Sequence, residues 1–250
     1  MTFEVKKWID SSVDDLIDRD MTLHRSSKNL TTMSLGEDGL SSIIERYNLE
    51  YFIEYFNIFN PSSNLPYHNK YHMLCMVLNC YEGSRFENLD ESTTKGLIAG
   101  AIMHDFGHTG GQSSDAKNIF IALSCLRVAQ TYSSARHLGL TDKELMIAEN
   151  CIRATQYPYV IKPNDLSLSM KIIRDADLMQ PYESNINVIR DQYVGLYEEL
   201  KHKLPSWDFY CEAQFKFLKD VKWITGWGRQ KAEVYDWKNK CQIVYQLLKG

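Results

Sequence analysis

Apolar residues recur every three or four positions along almost the whole chain, and that spacing leaves little room for anything except packed helices. Residues 5–17 place Val5, Trp8, Ile9, Val13, Leu16 and Ile17 on one helical face. Residues 22–38 are Ser/Thr-rich and aperiodic, which reads as a loop. The pattern resumes over 39–59 with Ile43, Ile44, Tyr47, Tyr51, Phe52, Tyr55 and Phe56, and breaks at Pro61–Pro66 before a helix at about 68–82. Further helical stretches follow near 115–133, 142–155, 167–179, 184–202, 207–224 and 228–248. Tyr157–Ile161 alternates over strand length, alone in the sequence. With 13 glycines and 6 prolines in 250 residues, interruptions are few. The expectation is an all-α protein: an N-terminal helix and loop over 1–38, and one helical domain over 39–250.

Gly96–Met103 differs from the other helical stretches because it is apolar all round and rich in small residues, the mark of a helix enclosed on every side. It runs straight into His104-Asp105-Phe106-Gly107-His108-Thr109-Gly110-Gly111. Composition narrows what such a protein can serve. Lys+Arg 28 against Asp+Glu 32 gives a net charge of −4, which disfavours a nucleic-acid polymer as partner. The densest cationic stretch, Lys216, Lys219, Lys222, Arg229 and Lys231, reads as a solvated face. No apolar run reaches the roughly 18–20 residues of a membrane span, and the first fifteen residues carry charges where a signal peptide is apolar. The six cysteines form no CxxC pair and fall mostly in apolar segments, as reduced buried thiols of a cytoplasmic protein do. Walker-type lysine, GxGxxG and GxSxG motifs are all missing.

Ionisable groups inside apolar helices must find a partner or a metal. His68 and His72 lie four apart at a helix start, His104-Asp105 closes the enclosed helix, and His108 follows within a turn. Asp175 and Asp177 are two apart, about 200° around a helix, so one faces inward. Asp177, flanked by Ala176 and Leu178, reads as that one, with Arg174 and Asp175 on the solvated side. A His and Asp donor set suits a borderline or hard divalent ion. His24, His137 and His202 read as surface or helix-end residues, and Trp223, Trp227 and Trp237 as core.

Four segments, in order, resemble the catalytic domain of class I cyclic-nucleotide phosphodiesterases, within the HD superfamily of metal-dependent phosphohydrolases. They are Tyr67-His68-Asn69-Lys70-Tyr71-His72 (YHNxxH), His104–Gly110 (HDxxHxG), Ala176-Asp177-Leu178 with Pro181 (ADLxxP), and Gln214–Phe217 (QxxF). The resemblance covers about residues 65–220 and implies an HD/PDEase-like helical domain with a central metal site. It implies that His72, His104, Asp105 and Asp177 hold one metal and that Asp105 bridges to a second. The ions would be zinc with magnesium or manganese, with iron also compatible. It places His108 beside the water on the second ion and makes His68 the acid that protonates the leaving sugar oxygen. Tyr67, Gln180, Gln214 and Phe217 would contact the nucleotide, Gln214 at the purine edge and Phe217 on its face. A metal-bound imidazole needs its other nitrogen held by a carboxylate or carbonyl, and Asp115 and Glu149 are candidates.

The implied activity is hydrolysis of a cyclic nucleotide to a 5′-phosphate by a water bridging the two ions. The substrate would be a small nucleotide, with no membrane partner and a homodimer left open. The chain departs from the family at Met179-Gln180, where an Asn touches the base, and at Gln156, where a carboxylate is expected. It is also shorter, which suits a larger substrate such as a cyclic dinucleotide or oligonucleotide. Two alternatives stand beside this reading: an HD-type nucleotidase or dNTP phosphohydrolase, and a non-catalytic cyclic-nucleotide binder. Diiron relatives need two further histidines between His108 and Asp177, where only His137 lies.

Overall fold

Residues 39–135, 137–179 and 186–249 are described by the computed structural model, and every regular element among them is helical. The α-helices are α1 (Leu40–Arg46), α2 (Glu50–Phe59), α3 (Lys70–Phe86), α4 (Glu91–Met103), α5 (Asp115–Ser134) and α6 (Asp142–Thr155). They continue with α7 (Leu168–Met179), α8 (Ile186–Leu200), α9 (Trp207–Lys219), α10 (Gly226–Val234) and α11 (Trp237–Lys249). The helix and loop expected within 1–38 lie outside the described residues.

Local chemistry sets most of the boundaries. Asn69, Asp90, Thr141, Ser206 and Thr225 cap α3, α4, α6, α9 and α10 by accepting backbone N–H bonds, and Glu144 completes a capping box with Thr141. The helix expected over 39–59 is two helices because Asn48 turns left-handed, with φ 52, a conformation its short amide tolerates. Asp236, with φ 48, splits the expected 228–248 helix in the same way. Tyr157–Ile161 is not a strand. Its backbone is engaged by side chains instead: the Tyr157 N–H donates to Asp115 Oδ2 at 2.6 Å, and the Ile161 carbonyl accepts from Arg174 Nη1 at 3.1 Å.

Helix α4 is central, touching α2, α3, α5, α6 and α7, and every residue from Gly96 to Met103 is buried. Its closest neighbour is α6. A Cβ on Gly96 would lie 2.7 Å from the Glu144 carbonyl oxygen, and one on Gly100 would lie 3.0 Å from Cys151 Cβ. Glycine at these positions lets the two backbones approach, and side chains fill the remaining faces. Helix α7 is enclosed by α3, α4, α6 and α10. Arg174 and Asp175 are therefore 3% and 1% exposed rather than solvated; this helix has no solvated side over Ile172–Ala176.

A second apolar cluster joins α8, α9 and α11 through Tyr193, Tyr210, Cys211, Trp237 and Val244. Trp227 is buried in the first cluster and Trp237 in the second. The six cysteines are free; five are buried and Cys125 is partly exposed. No helix among the described residues is long and apolar enough to cross a membrane.

Candidate functional site

The site forms where the enclosed helix stops. After Met103 the chain makes a turn rather than continuing as helix, with Phe106 N–H on the Met103 carbonyl, His108 N–H on the Asp105 carbonyl, and Gly107 at φ 73. Only glycine adopts that backbone readily, and a Cβ here would also lie 2.6 Å from Ile121 Cγ2. The turn is held from the Pro61 breaker. Asn60 Oδ1 accepts the Gly107 N–H at 2.9 Å and the Ser62 hydroxyl at 2.7 Å.

Four donor atoms converge below this turn. His72 comes from the first turn of α3, where Asn69 accepts its N–H; His104 and Asp105 come from the end of α4, and Asp177 from α7. His72 Nε2 and His104 Nε2 are 3.0 Å apart, and Asp105 Oδ2 is 2.9 Å and 2.8 Å from them. Asp177 Oδ1 lies 3.5 Å from His72 Nε2. Adjacent donors around an octahedral ion with bonds of about 2.1 Å are themselves about 3.0 Å apart, so these residues fit a divalent cation. His104 Nδ1 donates to the Ala101 carbonyl at 2.8 Å, which makes Nε2 the atom that faces the other donors. Asp115 and Glu149 do not fill this holding role: Asp115 accepts from Tyr157, and Glu149 pairs with Arg127 at 2.7 Å.

His68, Asp105 and His108 make a second group of donors within 4.8 Å of one another, so Asp105 sits between two clusters that could each hold a metal. His68 lies just outside α3 and faces Glu199 near the end of α8. The carboxylate can only accept, so His68 Nδ1 donates to Glu199 Oε2 at 2.5 Å. Glu199 Oε1 also accepts the N–H groups of Tyr67 at 2.6 Å and His68 at 3.0 Å. The His108 ring stacks on His68 with centroids 3.5 Å apart, and its Nδ1 accepts the Gly110 N–H at 3.1 Å. Tyr67 packs edge-on against His68 at 4.8 Å.

Burial works against charge throughout the site, and neighbours decide where charge persists. On His104, Asp105 and then Asp177 outweigh burial and raise the imidazole to about 9. On His72 burial prevails and the pKa falls. Asp105 is held well below the usual carboxylate range because His104 and His68 overcome its burial, whereas burial pushes Asp177 up. Burial would also lower His68, but Asp105 and the Glu199 hydrogen bond raise it. Burial and the His68 charge drive His108 down to about 4.

A cavity of about 550 Å³ is lined by Arg174, Asp175 and Leu178 of α7 and by the α9 residue Phe217, and none of the four donor residues is part of its wall. Phe217 meets Tyr157 edge-to-face there, with centroids 5.6 Å apart. Gln214 is half-buried on α9 and is not among the cavity's lining residues. Gln180 lies outside the described residues. Neither a protein-family model nor a curated protein matches this chain.

Sequence reading missed Glu199, Asn60 and the burial of Arg174. Glu199 lies seven residues after Gln192 on a helical face that is buried in both places, which no local feature of the sequence marks.

Proposed function

We propose that the protein is a metal-dependent phosphodiesterase that opens the 3′ ester of a cyclic nucleotide and releases a 5′-phosphate. The observation that carries this reading is the placement of Asp105 between the His72–His104–Asp177 donors and the stacked His68–His108 pair. His72, His104, Asp105 and Asp177 would hold one divalent ion, and Asp105 would reach a second. Zinc with magnesium or manganese suits these nitrogen and oxygen donors. Such ions supply a water of lowered pKa and neutralise the phosphodiester charge.

The remaining work falls to the chain. Glu199 fixes the His68 ring with Nδ1 as donor, so Nε2 is the atom that carries a proton into the site. As the phosphorus–O3′ bond breaks, the leaving alkoxide needs that proton, and a positioned imidazole supplies it with an effect of about 10²–10⁴-fold. His108, with Nδ1 bonded to the Gly110 N–H, holds its own proton on Nε2 and remains neutral beside His68. Phe217 and Tyr157 offer ring faces and edges to a base.

Incubating the purified protein with Mn²⁺ or Mg²⁺ and a panel of cyclic mononucleotides, cyclic dinucleotides, linear dinucleotides and dNTPs tests the reading, with Asp105→Asn as control. A cyclic substrate converted to a 5′-phosphate by the wild type alone is the expected result. Turnover of dNTPs only, or binding without turnover, overturns it.

A further inference from the structure

The cavity lined by α7 and α9 contains a positive charge that the metal donors do not explain. Arg174 is 3% exposed and lines the cavity wall. Its Nε donates to the Ala154 carbonyl at 2.9 Å and its Nη1 to the Ile161 carbonyl at 3.1 Å, while the Tyr159 ring lies 3.9 Å from the guanidinium carbon. Nη2 has no hydrogen-bond partner. Among the described residues no carboxylate forms an ion pair with the group. Asp175, its neighbour, is committed elsewhere: its Oδ2 accepts the Thr225 N–H at 2.8 Å and the Thr225 hydroxyl at 2.7 Å. A buried cation with no carboxylate in direct contact is costly, and burial accordingly lowers the Arg174 pKa although Asp175 acts on it from a distance.

Two exposed cations, Lys216 and Lys222, stand on the same cavity, against one exposed carboxylate, Asp220. Tyr157 and Phe217 line the same cavity. Aromatic faces combined with a fixed guanidinium and flexible ammonium groups are what a nucleotide requires, the rings for a base and the cations for a phosphate. The donor cluster is felt in the cavity wall, where burial first and the Asp177 charge second raise the pKa of the Tyr159 hydroxyl. Arg174 and Asp177 are three residues apart on α7, a rise of about 4.5 Å along the helix.

We propose that this cavity is a second phosphate subsite, and that the substrate is a cyclic dinucleotide. One phosphodiester sits at the His72, His104, Asp105 and Asp177 donors. The other lies between Arg174, Lys216 and Lys222, with a base against Phe217. This rests on the phosphodiesterase reading. Water adds across one phosphorus–O3′ bond, leaving a 5′-phosphate at one end and a 3′-hydroxyl, protonated by His68, at the other. The product is a linear dinucleotide.

The test compares cyclic di-adenylate with cyclic adenosine monophosphate on the Mn²⁺-loaded protein. Affinity is read by calorimetry with their hydrolysis-resistant phosphorothioate analogues, and kcat/KM with the natural forms. The dinucleotide should be preferred by about tenfold or more, the scale of a charge-assisted contact. The surface double variant K216E/K222E should erase that preference while its melting temperature and metal content stay at wild-type values. Equal affinities, or a preference that survives the double charge reversal, overturns the subsite. A preference in binding with no turnover of either compound overturns the phosphodiesterase reading and leaves the subsite standing. Turnover of both compounds without a preference does the reverse.

Discussion

The two halves of this molecule are built differently and contribute different things. Helices α3, α4, α6 and α7 are held by aliphatic and small side chains, with the α4 and α6 backbones nearly touching at Gly96 and Gly100. Helices α8, α9 and α11 are joined by aromatic rings and by long-range hydrogen bonds, such as Tyr210 OH to the Tyr193 carbonyl at 2.7 Å and Trp237 Nε1 to the Leu218 carbonyl at 3.0 Å. All four converging donors come from the first half. The second supplies Glu199, which orients His68, and the Phe217 wall of the cavity. A close-packed small-residue core fixes ligand positions to fractions of an ångström. An aromatic layer offers broad faces and polar tips, which serve recognition.

The largest effect should come from breaking the first half at its end. Asp105→Asn should empty the site of metal and lower turnover by about 10³-fold or more, as read by elemental analysis and product chromatography. His68→Ala should keep the metal and lose about 10²–10⁴-fold in kcat. Glu199→Gln, acting from the other half, should lose about 10–100-fold with metal content unchanged. Because it contacts His68 Nδ1, its pH–rate profile should shift as well; an unshifted profile would reduce Glu199 to a packing role.

Metal binding should depend on pH in a defined direction. His104, held at about 9, is protonated at neutral pH, and an ion must displace that proton to take its place. Apparent affinity should therefore rise with pH up to about that value, by as much as about tenfold per unit. Calorimetry in buffers of different ionisation enthalpy counts the proton released.

The smallest effects separate the halves on stability. Gly100→Val should cost about 1–3 kcal/mol by overpacking α4 against α6, and it should weaken metal binding as well because α4 carries His104 and Asp105. Tyr210→Phe should cost about 1 kcal/mol and leave metal binding alone. Thermal melts with and without Mn²⁺ measure both.

How much of this was legible in the sequence follows from the range of the interactions. That His72, His104, Asp105 and Asp177 cluster could be anticipated because an ionisable group inside an apolar run is conspicuous within a few residues, as at His104-Asp105 and Asp177. Glu199 could not. It is 131 positions from His68, and Glu198 beside it looks the same in a list of residues; only the docking of α8 turns one inward and leaves the other to pair with Lys201. Arg174 and Asp175 were misplaced for a related reason. Periodicity assigns a helix one dry face, but over Ile172–Ala176 every residue of α7 is buried by neighbours that lie far away in sequence. The splits at Asn48 and Asp236 were hidden because left-handed Asn and Asp residues leave the three-to-four spacing intact on either side.

The Asp175 carboxylate has a mechanical consequence. It grips the N–H groups of Ile224 and Thr225 from a point two residues before Asp177. The segment that closes one side of the cavity is thereby fastened to the same turn of helix that carries the Asp177 carboxylate. A pull on one is transmitted to the other through a single helical turn. Loading the cation should slow hydrogen exchange at the Thr225 amide, and occupying the cavity should tighten hold of the cation, even though no atom is shared between the two.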